Sequence, residues 1–248
     1  MLIITLFAFA FGAIFGSFLN VLIFRIPKGE EFVKTKSHCM TCGYNLKWYD
    51  LIPIISWLSL KGKCRSCKAP ISPQYPLVET ACGLLWAVAF VVLGVQPLTL
   101  ISQALFSALL ALSVIDFRTY EIPVGFNVFI GILGIIATVV DISNWYVHLI
   151  GAVCVSLPLL IIFYLSQGRA IGGGDIKLMA AAGLVLGWPA TVLALFIGCV
   201  LGAVIHTIRM RVSGEGKMLA MGPYLSAGIV IALLWGEKFI NWYMRLLL

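Results

Sequence analysis

Long apolar stretches recur along this sequence, and the first of them, residues 2–24, contains no charged side chain. A helix needs about 20 mainly apolar residues to cross the hydrocarbon core of a bilayer. The stretches that approach or reach this length are 2–24, 76–95, 98–115, 125–141, 147–165, 176–188, 190–208 and 221–236. They predict an all-α polytopic membrane protein with about eight transmembrane helices.

The composition agrees with this fold class. Of the 248 residues, 61% are hydrophobic and 11% are charged, whereas an ordinary soluble domain is about 25% charged. The net charge of +7 would suggest a nucleic-acid partner for a soluble protein. In a membrane protein, basic residues gather on the cytoplasmic side for topological reasons. We therefore expect the lipid bilayer as a partner and do not expect a nucleic acid.

The distribution of basic residues predicts the orientation. With the N-terminus outside, 15 of the 17 Lys and Arg residues fall in cytosolic segments, and only Lys238 and Arg245 fall outside. The reverse orientation would contradict the positive-inside rule. Residues 2–24 exceed the roughly 7–15 apolar residues of a signal peptide, so we expect a retained first span.

The segment between the first two predicted spans, residues 25–75, is the largest loop and faces the cytosol in this orientation. A domain of this size rarely has a self-sufficient core and usually needs a metal or disulfides. The predicted division of the chain is therefore a first helix at 1–24, a loop domain at 25–75 and a membrane domain at 76–248.

Two Cys-x-x-Cys pairs lie in that loop, Cys39 with Cys42 and Cys64 with Cys67, and 21 residues separate them. Two such turns can aim four thiolates at one tetrahedral ion, which favours a structural Zn²⁺ site without an open position for water. Two disulfides are the alternative, but the reducing cytosol disfavours them.

Two of the ten acidic residues stand out by position. Asp116 follows 18 uncharged residues at the inner end of the third span, and Asp175 follows the glycine run 172–174 at the inner start of the sixth. The topology therefore brings two acids that are 59 positions apart to one face of the membrane. Gly172 and Gly174 would let the main chain or a substrate approach closely, because they carry no side chain.

Such a pair suggests aspartic-protease chemistry. Two carboxylates about 4 Å apart repel by roughly 4 kcal/mol at an effective dielectric of 20, so they share one proton. The charged member then activates water and the protonated member donates to the scissile carbonyl. Capping of a helix, or an ion pair with Arg118 or Lys177, is the alternative, and spacing alone does not decide between the two.

The chain resembles the type IV prepilin peptidases in blocks that run nearly from end to end. These blocks are GAIFGSFLNVLIFRIP at 12–27, DLIPIISWLSLKGKC at 50–64, ISPQYPLVE at 71–79, IDFRTYEIP at 115–123, GGGDIKLMAAAG at 172–183 and MGPYLSAG at 221–228. The Gly-x-Gly-Asp element alone also occurs in presenilin-class proteases, but the blocks together are specific.

The resemblance implies that Asp116 and Asp175 are catalytic and that the four loop cysteines bind zinc. It implies removal of the basic leader from prepilins or pseudopilins at the cytosolic face of the bacterial inner membrane. Many relatives then methylate the new N-terminus with S-adenosylmethionine. The sequence has no GxGxxG fingerprint, so methyl transfer rests on the resemblance alone, and no residue is assigned to that cofactor.

Two questions stay open at this level. Glu79 lies four residues into the second span. In a functional role, it contacts the substrate leader or assists methylation. In a structural role, it is a buried acid near a helix N-terminus whose hydrogen bonds are satisfied. The alternative function is an ion- or proton-coupled transporter that uses the aspartate pair. Against the transporter, the acids lie at one face and the sequence shows no internal repeat.

Overall fold

The computed structural model describes residues 1–31, 37–213 and 219–247, and these form ten α-helices. The helices are α1 Leu2–Arg25, α2 Ile55–Ser59, α3 Gln74–Leu93, α4 Pro97–Thr119, α5 Val124–Val140, α6 Trp145–Cys154, α7 Ser156–Leu165, α8 Gly173–Leu186, α9 Trp188–Ser213 and α10 Gly222–Leu247. Short 3₁₀ turns cover Ile26–Lys28, Trp48–Asp50 and Ile142–Asn144. The predicted all-α class is confirmed.

Six helical segments in the described part of the chain are long and apolar enough to cross a membrane. They are α1 with the turn after it, α3, α4, the pair α6 and α7 with the turn before it, α9 and α10. Helix α5 has 17 residues and α8 has 14. At 1.5 Å per residue, these two are about 26 and 21 Å long against a hydrocarbon core of about 30 Å. The predicted count of about eight is therefore not confirmed.

The fifth predicted span is divided into two helices. Helix α6 ends at Cys154 and α7 begins at Ser156. Pro158 has no N–H to donate to the carbonyl of Cys154, four residues earlier, so the helical ladder is interrupted there. Three basic residues of the orientation count, Lys34, Lys36 and Lys217, lie outside the described residues.

The chain forms two compact units, residues 1–99 and 100–248. In the first unit, α1 and α3 pack closely at two glycines spaced as in a GxxxG motif, Gly12 and Gly16. A Cβ atom at Gly12 would lie 2.8 Å from Cβ of Trp86, and one at Gly16 would lie 2.7 Å from Cα of Glu79. The missing side chains thus allow the two helices to approach each other.

Small residues also mark the helix crossings of the second unit. A Cβ atom at Gly183 in α8 would contact the carbonyl oxygen of Gly151 in α6, and one at Gly228 in α10 would contact that of Ala194 in α9. Lipid tails are as apolar as the helices, so close van der Waals packing at small residues stabilises such contacts. These crossings fix α8 and α10, whose first turns enter the candidate site.

Candidate active site

Asp116 lies in the last turn of α4 and is only 4% exposed. Its Oδ2 accepts a hydrogen bond from the main-chain N–H of Gly222 at 2.9 Å. Gly222 is the first residue of α10, so the positive end of that helix faces the carboxylate, an arrangement that favours a negative charge. A Cβ atom at Gly222 would lie 2.7 Å from Oδ2 of Asp116, which leaves no room for another residue type.

Asp175 is the third residue of α8, and Gly172 precedes the helix as its N-cap. Its carboxylate turns back towards Gly172, where a Cβ atom would lie 3.0 Å from Oδ2 of Asp175. At Gly174 a Cβ atom would lie 3.1 Å from Cβ of Ile122. Both glycines thus stand where a side chain would crowd the acid or the segment beside it.

The two aspartates line one pocket of about 300 Å³. The remaining lining residues are Tyr120, Glu121, Ile122, Gly172, Gly173 and Gly174. The fold therefore brings together the two acids, and with them Gly172 and Gly174.

Asn127 supports this pocket from α5. It is 7% exposed, and its Nδ2 donates to the carbonyl oxygen of Gly174 at 3.5 Å. Its Oδ1 is buried and has no hydrogen-bond partner among the described residues. The contact holds the main chain immediately before Asp175.

Sequence reasoning did not single out several of these residues. Tyr120, Glu121 and Ile122 belong to the block IDFRTYEIP, and Gly222 belongs to MGPYLSAG, but neither block assigns them a role. Asn127 carried the one available local signal, a polar side chain within an apolar stretch. The bond from Gly222 to Asp116 joins residues 106 positions apart and leaves no pattern in the sequence.

The four loop cysteines form a cluster that can hold a metal ion. Their sulfur atoms all lie within 4.8 Å of one another, and the sulfurs of Cys39 and Cys67 are 3.9 Å apart. Thiolates bound to one tetrahedral zinc at about 2.3 Å would be roughly 3.8 Å from each other. The residues present therefore fit such an ion.

The two cysteine pairs sit on turns of the same design. In the first, Gly43 donates its N–H to the carbonyl of Cys39, whose own N–H donates to Tyr44. In the second, Lys68 donates to the carbonyl of Cys64 in the same way. Gly43 and Lys68 both have a positive φ, 70° and 62°, which folds each chain tightly after its second cysteine.

The turns also act on the thiols. Hydrogen bonds from the main chain of Cys42 and Thr41 lower the pKa of the Cys39 thiol to about 6. At Cys67, the Ala69 main chain lowers the pKa, but hydrogen bonds with Cys42 and the other thiols raise it to about 11. One thiol of the cluster is therefore prepared to ionise at neutral pH, as a metal ligand must.

Glu79 has a hydrogen-bond partner in its own part of the chain. It lies in α3 of the first unit, is 6% exposed, and its Oε2 accepts the main-chain N–H of Ile54 at 2.7 Å. The structural interpretation of Glu79 requires a hydrogen-bond partner for the buried acid, and the N–H of Ile54 is such a partner.

Two family models match the chain, one in each half. Residues 10–93 match the Bacterial Peptidase A24 N-terminal domain, and residues 103–207 match the Type IV leader peptidase family. These matches fall on either side of the boundary between the two compact units. No solved structure matches the chain.

Several full-length relatives are similar to the chain, each named prepilin leader peptidase/N-methyltransferase. The protein of Stutzerimonas stutzeri is 32% identical over 96% of this chain and 93% of its own length. That of Bacillus subtilis (strain 168) is 32% identical over 97% and 98%, and that of Pseudomonas putida is 33% identical over 95% and 92%. These relatives give no support to the transporter alternative. The chain therefore belongs to the type IV leader peptidase family.

Proposed function

We propose that this protein is a membrane aspartic endopeptidase that removes the basic leader from type IV prepilins or pseudopilins. The observation that carries the proposal is the pocket shared by Asp116 and Asp175. The chain is similar over nearly its whole length to proteins named for this activity.

The surroundings of the two acids give each a role. The N–H of Gly222 and the N-terminus of α10 stabilise Asp116 as the carboxylate. Asp175 also lies in the first turn of a helix, so the assignment depends on the hydrogen bond that Gly222 donates to Asp116. Repulsion between the two like charges then keeps the shared proton on Asp175. In this assignment Asp116 is the base that activates water, and Asp175 is the acid.

The reaction proceeds in two steps. Asp116 takes a proton from the attacking water while Asp175 gives its proton to the scissile carbonyl oxygen, which yields a tetrahedral intermediate. The C–N bond then breaks, the proton held by Asp116 passes to the leaving amine, and Asp175 regains a proton from a hydroxyl of the intermediate. The pair returns to its starting state.

The pocket suits a basic leader. Glu121 adds a third acidic side chain to its lining, and a cleft lined by one sign of charge concentrates ligands of the opposite sign. Gly172, Gly173 and Gly174 leave main chain exposed at its wall, which allows a peptide to approach closely.

Methyl transfer to the new N-terminus is the second activity that we propose, on the basis of the relatives' names. S-adenosylmethionine would supply the methyl group when bound. No residue of this chain is assigned to that cofactor.

The four loop cysteines, in our proposal, hold a structural Zn²⁺ and make residues 25–75 a small domain. The sulfur cluster and its paired turns support this assignment. Structural zinc binding contributes on the order of 10 kcal/mol to folding, which is ample for a segment with so small a core.

We further propose that the protein lies in the bacterial inner membrane with its N-terminus outside and its catalytic face in the cytosol. The bias of basic residues supports this orientation. In this arrangement α5 and α8 cross as well, which gives eight spans. A short span is accommodated by local thinning of the bilayer.

The decisive experiment is cleavage of a purified prepilin by the purified protein, followed by mass spectrometry of the product. Asp116→Asn and Asp175→Asn are expected to abolish leader removal while the protein still inserts and folds. Asp141→Asn is the matched control, because Asp141 is exposed, lies outside the pocket and contacts Asn144. Wild-type cleavage by either pocket variant would refute the proposal. The product mass also reveals whether a methyl group has been added.

A further inference from the structure

Glu79 is a buried acid that the proposed chemistry does not use. Its Oε2 accepts the N–H of Ile54 at 2.7 Å, and its carboxylate also interacts with the side chain of Ser17 in α1. A main-chain N–H bonded to an ionised or polar carboxyl at this distance is a strong contact. The bond joins α3 to a loop residue 25 positions earlier in the chain.

The loop residue that Glu79 holds has an unusual conformation. Ile54 has φ 63° and ψ −53°, and the N–H of Ile55 donates to the carbonyl of Pro53. Together these define a γ-turn with positive φ, which is rare and strained. A β-branched residue in this region is a genuine outlier and persists only where its surroundings enforce it.

The turn at Ile54 is connected to the cysteine cluster. It leads directly into α2, where Nε1 of Trp57 donates to the carbonyl of Ile71 at 3.1 Å. The N–H of Ile71 in turn donates to Gly62, two residues before Cys64. The position of the Ile54 turn therefore sets the position of the second cysteine pair.

The other end of the contact lies on a rigid platform. Gly16 of α1 approaches the Cα atom of Glu79 so closely that a Cβ would clash. Buried Asn20 donates to the carbonyls of Gly16 and Tyr75, which fastens α1 to the start of α3. The carboxylate of Glu79 is thus presented from a fixed point of the helix pair.

We propose that Glu79 is a positioning residue that fastens the cysteine-bearing loop to α3 through the N–H of Ile54. It holds a strained turn in place and thereby orients α2 and the second cysteine pair against the helix pair. In this role the side chain serves as a hydrogen-bond acceptor, and neither its charge nor contact with a substrate is required. The effect on processing rests on the proposed leader removal, whereas the contact itself does not.

The contact is tested by amide hydrogen exchange in the full chain, held in lipid nanodiscs. Glu79→Leu removes the acceptor, so exchange of the Ile54 amide should rise by about 10- to 100-fold, the effect of leaving a buried donor without an acceptor. Glu79→Gln keeps an acceptor oxygen and should show a much smaller rise. Peptides from α10 serve as an internal reference that neither variant changes. An Ile54 amide equally protected in Glu79→Leu would overturn the proposal.

Leader removal by the same variants separates positioning from chemistry. Glu79→Leu should slow processing, and Glu79→Gln should restore most of it. If Glu79→Gln is as slow as Glu79→Leu while the Ile54 amide stays protected, the carboxylate acts on substrate or cofactor and the positioning role is wrong. If the wild type removes no leader, the proposed function fails, and the exchange result alone decides the contact.

A second substitution guards against a Glu79→Leu protein that merely folds poorly. Glycine adopts the positive φ of position 54 without strain, so Ile54→Gly makes the turn less dependent on Glu79. The loss of processing caused by Glu79→Leu should therefore be smaller in an Ile54→Gly background. Equal losses in both backgrounds would contradict the role assigned to the strained turn.

Discussion

The carboxylates of Asp116 and Asp175 meet different partners, although they share one pocket. Asp116 accepts an N–H from the first residue of α10, and Asp175 turns back on the glycine that caps its own helix. At the scale of single residues, the proposed division between acid and base depends on these main-chain contacts. In the proposed mechanism, Gly222 is therefore needed as well as the two acids.

Gly222→Ala tests this dependence. A Cβ atom at this position would lie 2.7 Å from Oδ2 of Asp116 and must displace the carboxylate or the first turn of α10. We expect the kcat of leader removal to fall at least about tenfold, since loss of one preorganised donor costs about that much or more. Steady-state kinetics with a prepilin substrate measures the effect.

The matched control for Gly222→Ala is Gly131→Ala in α5. A Cβ atom at Gly131 would meet no heavy atom within 4 Å outside its own helix, within the described residues. Alanine favours a helix over glycine by about 1 kcal/mol, so this variant should keep its activity and lose no stability. A wild-type kcat in Gly222→Ala would show that the contact with Asp116 does not contribute to catalysis.

At the scale of helices, the pocket depends on crossings that glycine alone permits. Gly183 in α8 and Gly151 in α6 bring the two helices into main-chain contact, eight residues along α8 from Asp175. Gly183→Ala introduces an atom against the carbonyl of Gly151 and must push the helices apart. Overpacking of this kind destabilises by about 1–3 kcal/mol.

We therefore expect Gly183→Ala to lower the thermal unfolding temperature and to slow leader removal, because α8 carries Asp175. Thermal melting in detergent and the cleavage assay measure the two effects. Gly131→Ala again serves as the control. Unchanged melting would mean that α6 and α8 can separate here without cost.

The helices themselves were predictable, because each predicted apolar stretch corresponds to one helix or to a broken pair. The break after Cys154 follows from Pro158, four residues further along the chain, but an average of hydropathy over a window does not register one missing N–H. The end of α8 at Leu186 follows from Gly187, whose φ of 73° stops the helix early.

The sequence also indicated both aspartates and the four cysteines by position and spacing. The contacts of Gly222, Asn127 and Ile54 join distant parts of the chain, and no local pattern encodes them.

At the scale of the whole molecule, the two compact units should respond differently to metal. All four clustered cysteines lie in the first unit. Cys39→Ser is expected to lose about one zinc per chain by elemental analysis and to make residues 37–71 sensitive to protease, since structural zinc contributes folding energy outright. The second unit, which holds the aspartates, should stay resistant.

Cys199→Ser is the control for that experiment. Cys199 is exposed in α9 and lies outside the cluster. It should keep both the metal and the protease resistance of the wild type. Absence of zinc from wild type and Cys39→Ser alike would refute the zinc assignment.

The number of spans can be argued from the pocket. Asp116 ends α4, and Asp175 begins α8, so the chain between them must return to the same face of the membrane. The α6–α7 segment is long enough to cross once. A second crossing is needed to return, and α5 is the remaining helix between the two acids. In the proposed topology, α5 therefore makes the second crossing despite its 17 residues.

The same reasoning separates α5 from α8 experimentally. If α5 crosses, an epitope inserted after Gly168 lies in the cytosol and is protected from protease in spheroplasts, whereas without that crossing it is cleaved. If α8 also crosses, an epitope at the C-terminus lies outside and is cleaved, whereas a re-entrant α8 would leave it protected. An epitope at the N-terminus, expected outside, controls for access. Eight spans thus predict protection after Gly168 together with cleavage at the C-terminus, and any other combination would require a different path for α5 or α8.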